Sequence, residues 1–262
     1  MDKILTIIQK EWAEVFKNRM VLFTVAFLPL IMTAIPLGVL YSVRDTGLQG
    51  VGSEMPEQFS AFCPPQLASG DCFQVYMVSQ FMLLFMILPL AIPATIAAYS
   101  IVGEKTTHSL EPLLATPITT TELLLGKSLS AAIPAIAATF AAFGVFLLGA
   151  WLLVRNQVVI DALVDPRWLL AVLVIGPLMA LLSVTVSLIV SSRVNDPRVA
   201  EQISMVVIIP VLGLFFGQIA GLFVINQQII LLVMAGLLVV DAFMVYLSVR
   251  LFQRETILTR WK

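Results

Sequence analysis

Six uninterrupted apolar runs, about 20–42, 75–102, 128–154, 168–191, 203–225 and 229–250, decide what this chain can fold into. Crossing about 30 Å of hydrocarbon takes roughly 20 helical residues, and every run reaches that length. A bilayer holds no water to satisfy free backbone groups, so only helices and closed barrels span it. The residue-by-residue alternation of a barrel strand is absent. The expectation is therefore an all-α integral membrane protein with six transmembrane helices. Composition agrees, with 60% apolar and 12% charged residues, against about 45–50% and about 25% in soluble domains. The second run is the longest and carries Pro89 and Pro93, which predicts a tilt or a kink. Pro29, Pro36, Pro134, Pro177 and Pro210 also lie in apolar runs, and neighbouring helices must satisfy the carbonyls they free.

Charge sets the orientation. Twelve of the 15 Lys and Arg residues fall in one set of segments: Lys3, Lys10, Lys17, Arg19, Lys105, Lys127, Arg193, Arg198, Arg250, Arg254, Arg260 and Lys262. Only Arg44, Arg155 and Arg167 fall on the other side. By the positive-inside rule both termini are expected in the cytoplasm, in a multi-pass protein of the cell (inner) membrane. Residues 1–19 lack the short apolar core and small-residue cleavage site of a secretory signal. Ile4, Leu5, Ile8, Trp12, Val15 and Phe16 share one arc of a helix. That pattern fits an amphipathic helix in the cytoplasmic interface, or one packed on the protein itself.

Cys63 and Cys72 both lie in the longest extracytoplasmic loop, 43–74. An oxidising compartment permits a disulfide there, worth about 2–3 kcal/mol in the chain-entropy view, and two free thiols are the alternative. The loop is short, so residues 1–262 are expected to form a single transmembrane domain.

Catalytic motifs are missing. His108, the only histidine, has no second His or Cys nearby to share a metal. It lies outside the spans, where an intramembrane Ser–His pair has no use for it, and H-E-x-x-H is absent. "TELLLGKS" ends like a phosphate loop, but Thr121 stands where that motif needs glycine. No basic run suggests nucleic acid. Asp241 is the one ionisable residue deep in a span, which by default points to function; a hydrogen bond to Ser183, Thr185 or Ser187 is the structural alternative. Gly213, Gly217 and Gly221 recur every four residues, a spacing that permits close helix packing.

One polar stretch between the second and third runs is more specific. "GEKTTHSLEPLLATPITTTELLLGK", residues 103–127, resembles the signature of type-2 ABC exporter permeases. The matching residues are Glu104, Leu110, Glu111, Leu113, Leu114, Ala115, Thr116, Pro117, Glu122, Leu123, Gly126 and Lys127. Thr106 and His108 stand where the family often has a second acid and a glycine. Looser agreement covers the whole chain, including "NDPRVAEQ" before the fifth run and an arginine-rich tail. The resemblance implies a cytoplasmic coupling helix docking on a separate ATP-binding subunit, through Glu104, Leu110, Glu111, Leu113, Leu114, Thr116 and Pro117. The local chemistry is compatible with that. Pro112 suits a first helical turn, Pro117 ends a helix at or before Thr116, and Leu110, Leu113 and Leu114 share a face.

The resemblance further implies that ATP and Mg are bound by the partner ATPase, and that this chain is non-catalytic. It also implies a second permease, a copy or a paralogue, with the substrate path between the two and lipid around them. Gln80, Ser204, Gln218 and Asp241 are the polar candidates for that path. Two other readings stay open on the residues alone. One is an ion-coupled secondary transporter, which needs inverted repeats and a buried charge pair. The other is a membrane subunit that anchors or senses without transporting.

Overall fold

The computed structural model describes residues 2–43, 69–106, 118–154, 157–223 and 225–251. These residues are helical, with no strand among them. The helices are α1 (Asp2–Val15), α2 (Arg19–Val43), α3 (Ser69–Phe85), α4 (Leu88–Thr106), α5 (Thr120–Leu153), α6 (Gln157–Leu163), α7 (Pro166–Leu170), α8 (Gly176–Arg193), α9 (Pro197–Ser204), α10 (Ile209–Ile219) and α11 (Gln227–Leu251). They build six stretches long and apolar enough to cross a membrane: Val21–Ser42, Cys72–Glu104, Thr121–Leu153, Val159–Arg193, Pro197–Ile219 and Gln227–Leu251. The protein is a multi-pass membrane protein.

Spans 2, 4 and 5 are each interrupted, and each interruption stands just before a proline. Proline has no N–H and its ring collides with the carbonyl four residues back. Accordingly α3 stops at Phe85 and α4 restarts at Leu88, with Pro89 in its first turn. In span 4 a wider π turn, Ala171–Ile175, precedes Pro177. In span 5 a tighter 3-10 turn, Met205–Ile208, precedes Pro210. In spans 1 and 3, by contrast, the helix runs on through Pro29, Pro36 and Pro134. The expected irregularity of span 2 is thus present, and two other spans share its cause.

Helix starts follow local chemistry. Asp196 accepts from the backbone of Arg198 and Val199, with Pro197 in the first turn, so span 5 begins at Pro197, ahead of the apolar run at 203. Asp165 caps α7 in the same way. Thr119 and Glu122 form a reciprocal capping box that starts α5. Span 5 ends in a Schellman motif: Gly221 has φ 70°, Leu222 N donates to Gly217 O, and Gly221 N donates to Gln218 O. The glycine repeat therefore serves this reversal. A Cβ on Gly217 would lie 2.8 Å from the ring of Phe223, just after the turn, whereas Gly213 faces open space.

Span 2 is the centre of the bundle. It is 83% buried over its most apolar window, against 17% for spans 1 and 5 and 11% for span 6. It packs on α8, α5 and α9, and α8 in turn carries α11. Phe85 meets Phe143 and Phe146 at centroid distances of 6.3 and 5.2 Å. Ser183 donates to the Leu90 carbonyl at 2.5 Å, and Thr95 donates to Glu201 at 2.7 Å, pinning spans 4 and 5 to span 2. The outer faces of spans 1, 3 and 6 expose Leu30, Leu148, Trp151, Leu232 and Val239, as hydrocarbon-facing surfaces do.

Candidate functional site

The densest polar chemistry lies where α1 crosses the end of α4 and the start of α5, the two helices that flank residues 107–117. Glu11, Glu104 and Lys127 are 2%, 3% and 4% exposed. Lys127 Nζ lies 2.8 Å from Glu11 Oε1 and 2.8 Å from Glu104 Oε2, and donates to Ser100 Oγ at 3.0 Å. Ser100 in turn donates to Glu11. Lys10 Nζ closes the other side, 2.6 Å from Glu104 Oε1 and 3.8 Å from Glu14. One ammonium thus joins two carboxylates from different helices, and a second shares one of them.

Sequence explains why these groups meet. On α1, Ile7, Ile8, Glu11 and Val15 are all buried, so Glu11 stands inside an otherwise apolar seam. Gly126 immediately precedes Lys127, and a Cβ there would lie 2.7 Å from Ile7 Cγ2. The missing side chain lets α1 lie close on α5 and brings Glu11 within reach of Lys127. The indole of Trp12 adds a hydrogen bond to the Ser130 carbonyl at 2.8 Å. Burial pushes the Glu11 carboxyl up, but the charge and hydrogen bond of Lys127, the Ser100 hydroxyl and the charge of Lys10 outweigh it and hold it below its ordinary range. For Lys10, burial works downward, yet its hydrogen bond to Glu104 and the carboxylates around it raise it overall. Both residues are held in their charged forms.

Of the residues singled out in the sequence, Glu104 is therefore interior, held between Lys10 and Lys127. Leu110, Glu111, Leu113, Leu114, Thr116 and Pro117 lie outside the described residues, as do His108 and Cys63. Cys72 is buried at the start of span 2. Gln80, Ser204, Gln218 and Asp241 are each at most 5% exposed and lie on spans 2, 5, 5 and 6. The Ser204 hydroxyl donates to Ala200 O. Gln80, Gln218 and Asp241 have no hydrogen-bond partner among the described residues. Ser183 and Thr185, considered as partners for Asp241, bond backbone carbonyls instead, and Ser187 Oγ has no partner among the described residues.

Glu11, Lys10 and Ser100 escaped the reading of the sequence. The available signal was an acid bordering the apolar arc of α1, paired with the lysine that ends the quoted motif. Leu5 was placed on that arc, yet it is 56% exposed; the packed face is rotated toward Ile7 and Glu11.

Comparison with known proteins gives one result. The family model described as "ABC-2 family transporter protein" matches residues 5–248, which takes in most of α1, the first five spans, nearly all of the sixth and the ionic cluster. No curated protein matches the chain.

Proposed function

The chain belongs to the ABC-2 transporter family, and on that basis we propose that it is the permease subunit of an ATP-driven exporter. A separate subunit binds ATP and Mg and hydrolyses the nucleotide. Residues 107–117 dock on that subunit, with Leu110, Leu113 and Leu114 entering a groove and Glu111 at its rim. A second permease, identical or paralogous, completes the substrate path. The end of the bundle that carries α1 faces the cytoplasm of the cell.

The observation that carries this reading is the buried ionic cluster. Lys127 and Glu104 stand at the two roots of the docking segment, and both are tied to α1. A push on that segment therefore reaches span 2, span 3 and α1 as one body, because separating any pair would strand a buried charge, at about 3–5 kcal/mol. Span 2 then carries the displacement into the centre of the bundle. In this mechanism Glu104 acts by holding the roots together, and the leucines make the contact.

Two substitutions test the docking. Glu111→Lys reverses a charge at the rim, and Leu114→Asp buries an unpaired carboxylate, which is severely unfavourable. Neither lies in a span, so insertion is expected to survive while ATPase co-purification, ATP-dependent transport in vesicles, or both are lost. Asn156→Ala, in the connection between spans 3 and 4, is expected to leave both intact. Normal assembly and transport in both variants would sink the proposal.

A further inference from the structure

Gln80 and Gln218 are 5% and 2% exposed, and neither the nitrogen nor the oxygen of either amide has a hydrogen-bond partner among the described residues. Gln80 lies on α3 and Gln218 on α10, two helices that pack against each other. Apart from the adjoining 3-10 turn, α3 is the main neighbour of α10, so the buried side of α10, Val211 and Gln218, is the side turned to α3. The two amides also lie at a similar depth. Span 2 covers 33 residues in two helices, about 50 Å at 1.5 Å per residue, and so overruns about 30 Å of hydrocarbon. Counting roughly 20 residues back from Glu104 reaches residue 84, so Gln80 falls one turn beyond that margin, and Gln218 stands at the corresponding end of span 5.

Orphaned amides at such a place are costly unless something fills them. Neither α3 from Cys72 onward nor α10 carries a charged residue; the acids nearby among the described residues are Asp71 at the start of α3 and the exposed Asp161 on α6, which packs on α3, so neither amide has a charge on its own stretch of helix. A carboxamide, by contrast, both donates and accepts. We propose that Gln80 and Gln218 form a recognition site for a neutral hydrogen-bonding group, a hydroxyl or carboxamide carried on an otherwise apolar cargo molecule. This deepens the permease reading and rests on it.

The test uses the purified full-length permease in detergent and the double variant Gln80→Leu with Gln218→Leu. The probes are octanamide, which is neutral, and octyltrimethylammonium, which is cationic. Removing four orphaned polar atoms is expected to leave the unfolding temperature unchanged or raise it. Octanamide is expected to raise the unfolding temperature of the natural protein by several degrees and to leave that of the double variant where it was. Octyltrimethylammonium is expected to act on both proteins alike. A lower unfolding temperature for the double variant without probe would mean that the amides hold the fold, and would overturn the proposal. So would a cationic probe that distinguishes the two proteins as well as octanamide does. Absence of any octanamide shift also overturns it, and hydroxyl-radical labelling of Tyr76 and Phe215 would then identify water as the occupant. No arm needs the ATPase, so failed ATPase association would count against the permease reading while leaving this binding result to stand.

Discussion

Lys127 is the residue on which the α1 end of the bundle turns. Its ammonium touches Glu11 from α1 and Glu104 from α4, and all three groups are buried. Lys127→Met would keep the volume and remove the charge, leaving Glu11 with the Ser100 hydroxyl and, as its one cation among the described residues, Lys10 at 4.0 Å. Removing one partner of a buried pair costs about 3–5 kcal/mol. The expected outcome is faster amide hydrogen exchange in α1 and a lower unfolding temperature, with partial recovery when Glu11→Gln is added. Unchanged exchange in α1 would refute the clamp. The pH dependence follows from the same contacts. Glu11 is held below its ordinary value of 4.5 in the folded protein, so the unfolded state binds the proton more readily. Its stabilising contribution is full above 4.5 and is lost as pH falls through the depressed folded value. Lys10 has the opposite sign: raised above its ordinary 10.5, it contributes fully below 10.5 and loses that contribution as pH rises through the folded value. Acid is therefore expected to loosen α1 only once pH has fallen below 4.5, as read by hydrogen exchange. Glu11→Gln should remove the part of that acid step due to Glu11; an identical acid profile in the variant would refute the assignment.

At the scale of elements, α1 shows what apolar periodicity can and cannot report. The periodicity finds the helix, because Ile8 and Val15 are buried on one side as it requires. It misses the centre of the packed face, because that centre is Glu11, an acid that hydrophobic pattern places at an edge and only a partner on another helix makes tolerable. The spans themselves were legible because length and apolarity are one-dimensional properties. Their breaks were half legible: proline announces itself, but whether the helix stops, widens or runs straight on depends on neighbours, as Pro89, Pro177 and Pro134 show in turn. The docking of α1 on α5 rests on Gly126, where a Cβ would meet Ile7 at 2.7 Å. Gly126→Ala is therefore expected to lift α1 at a cost of about 1–3 kcal/mol, the usual range for overpacking. Ile7→Ala in the same chain should restore most of the loss by making room. Measured unfolding temperatures of the two single variants and the double decide the matter, since simple additivity would mean the residues do not clash.

Across the whole molecule, burial and charge divide the labour. Span 2 is enclosed by the others while spans 1, 5 and 6 present most of their surface outward, so the helix that leads into residues 107–117, the segment proposed to dock, is also the central one. Sequence reached the family through one motif and reached the bundle through six runs, but it had no means of telling which span is central, because all six are similarly apolar. Orientation is the converse case, an expectation that rests on the sequence alone. Twelve of the 15 Lys and Arg residues fall in segments on the side of α1, and translocating them would oppose the bias that sets topology. The exposed face of α1 carries Lys3 and Gln9, groups suited to water and headgroups. If this side is cytoplasmic, cysteines introduced as Thr120→Cys and Arg260→Cys are shielded from impermeant thiol reagents in intact cells and react after permeabilisation. Leu48→Cys, between spans 1 and 2, reacts in intact cells. Labelling of Thr120→Cys from outside would invert the molecule, place the docking segment away from any cytoplasmic ATPase, and leave the exporter mechanism without its source of energy.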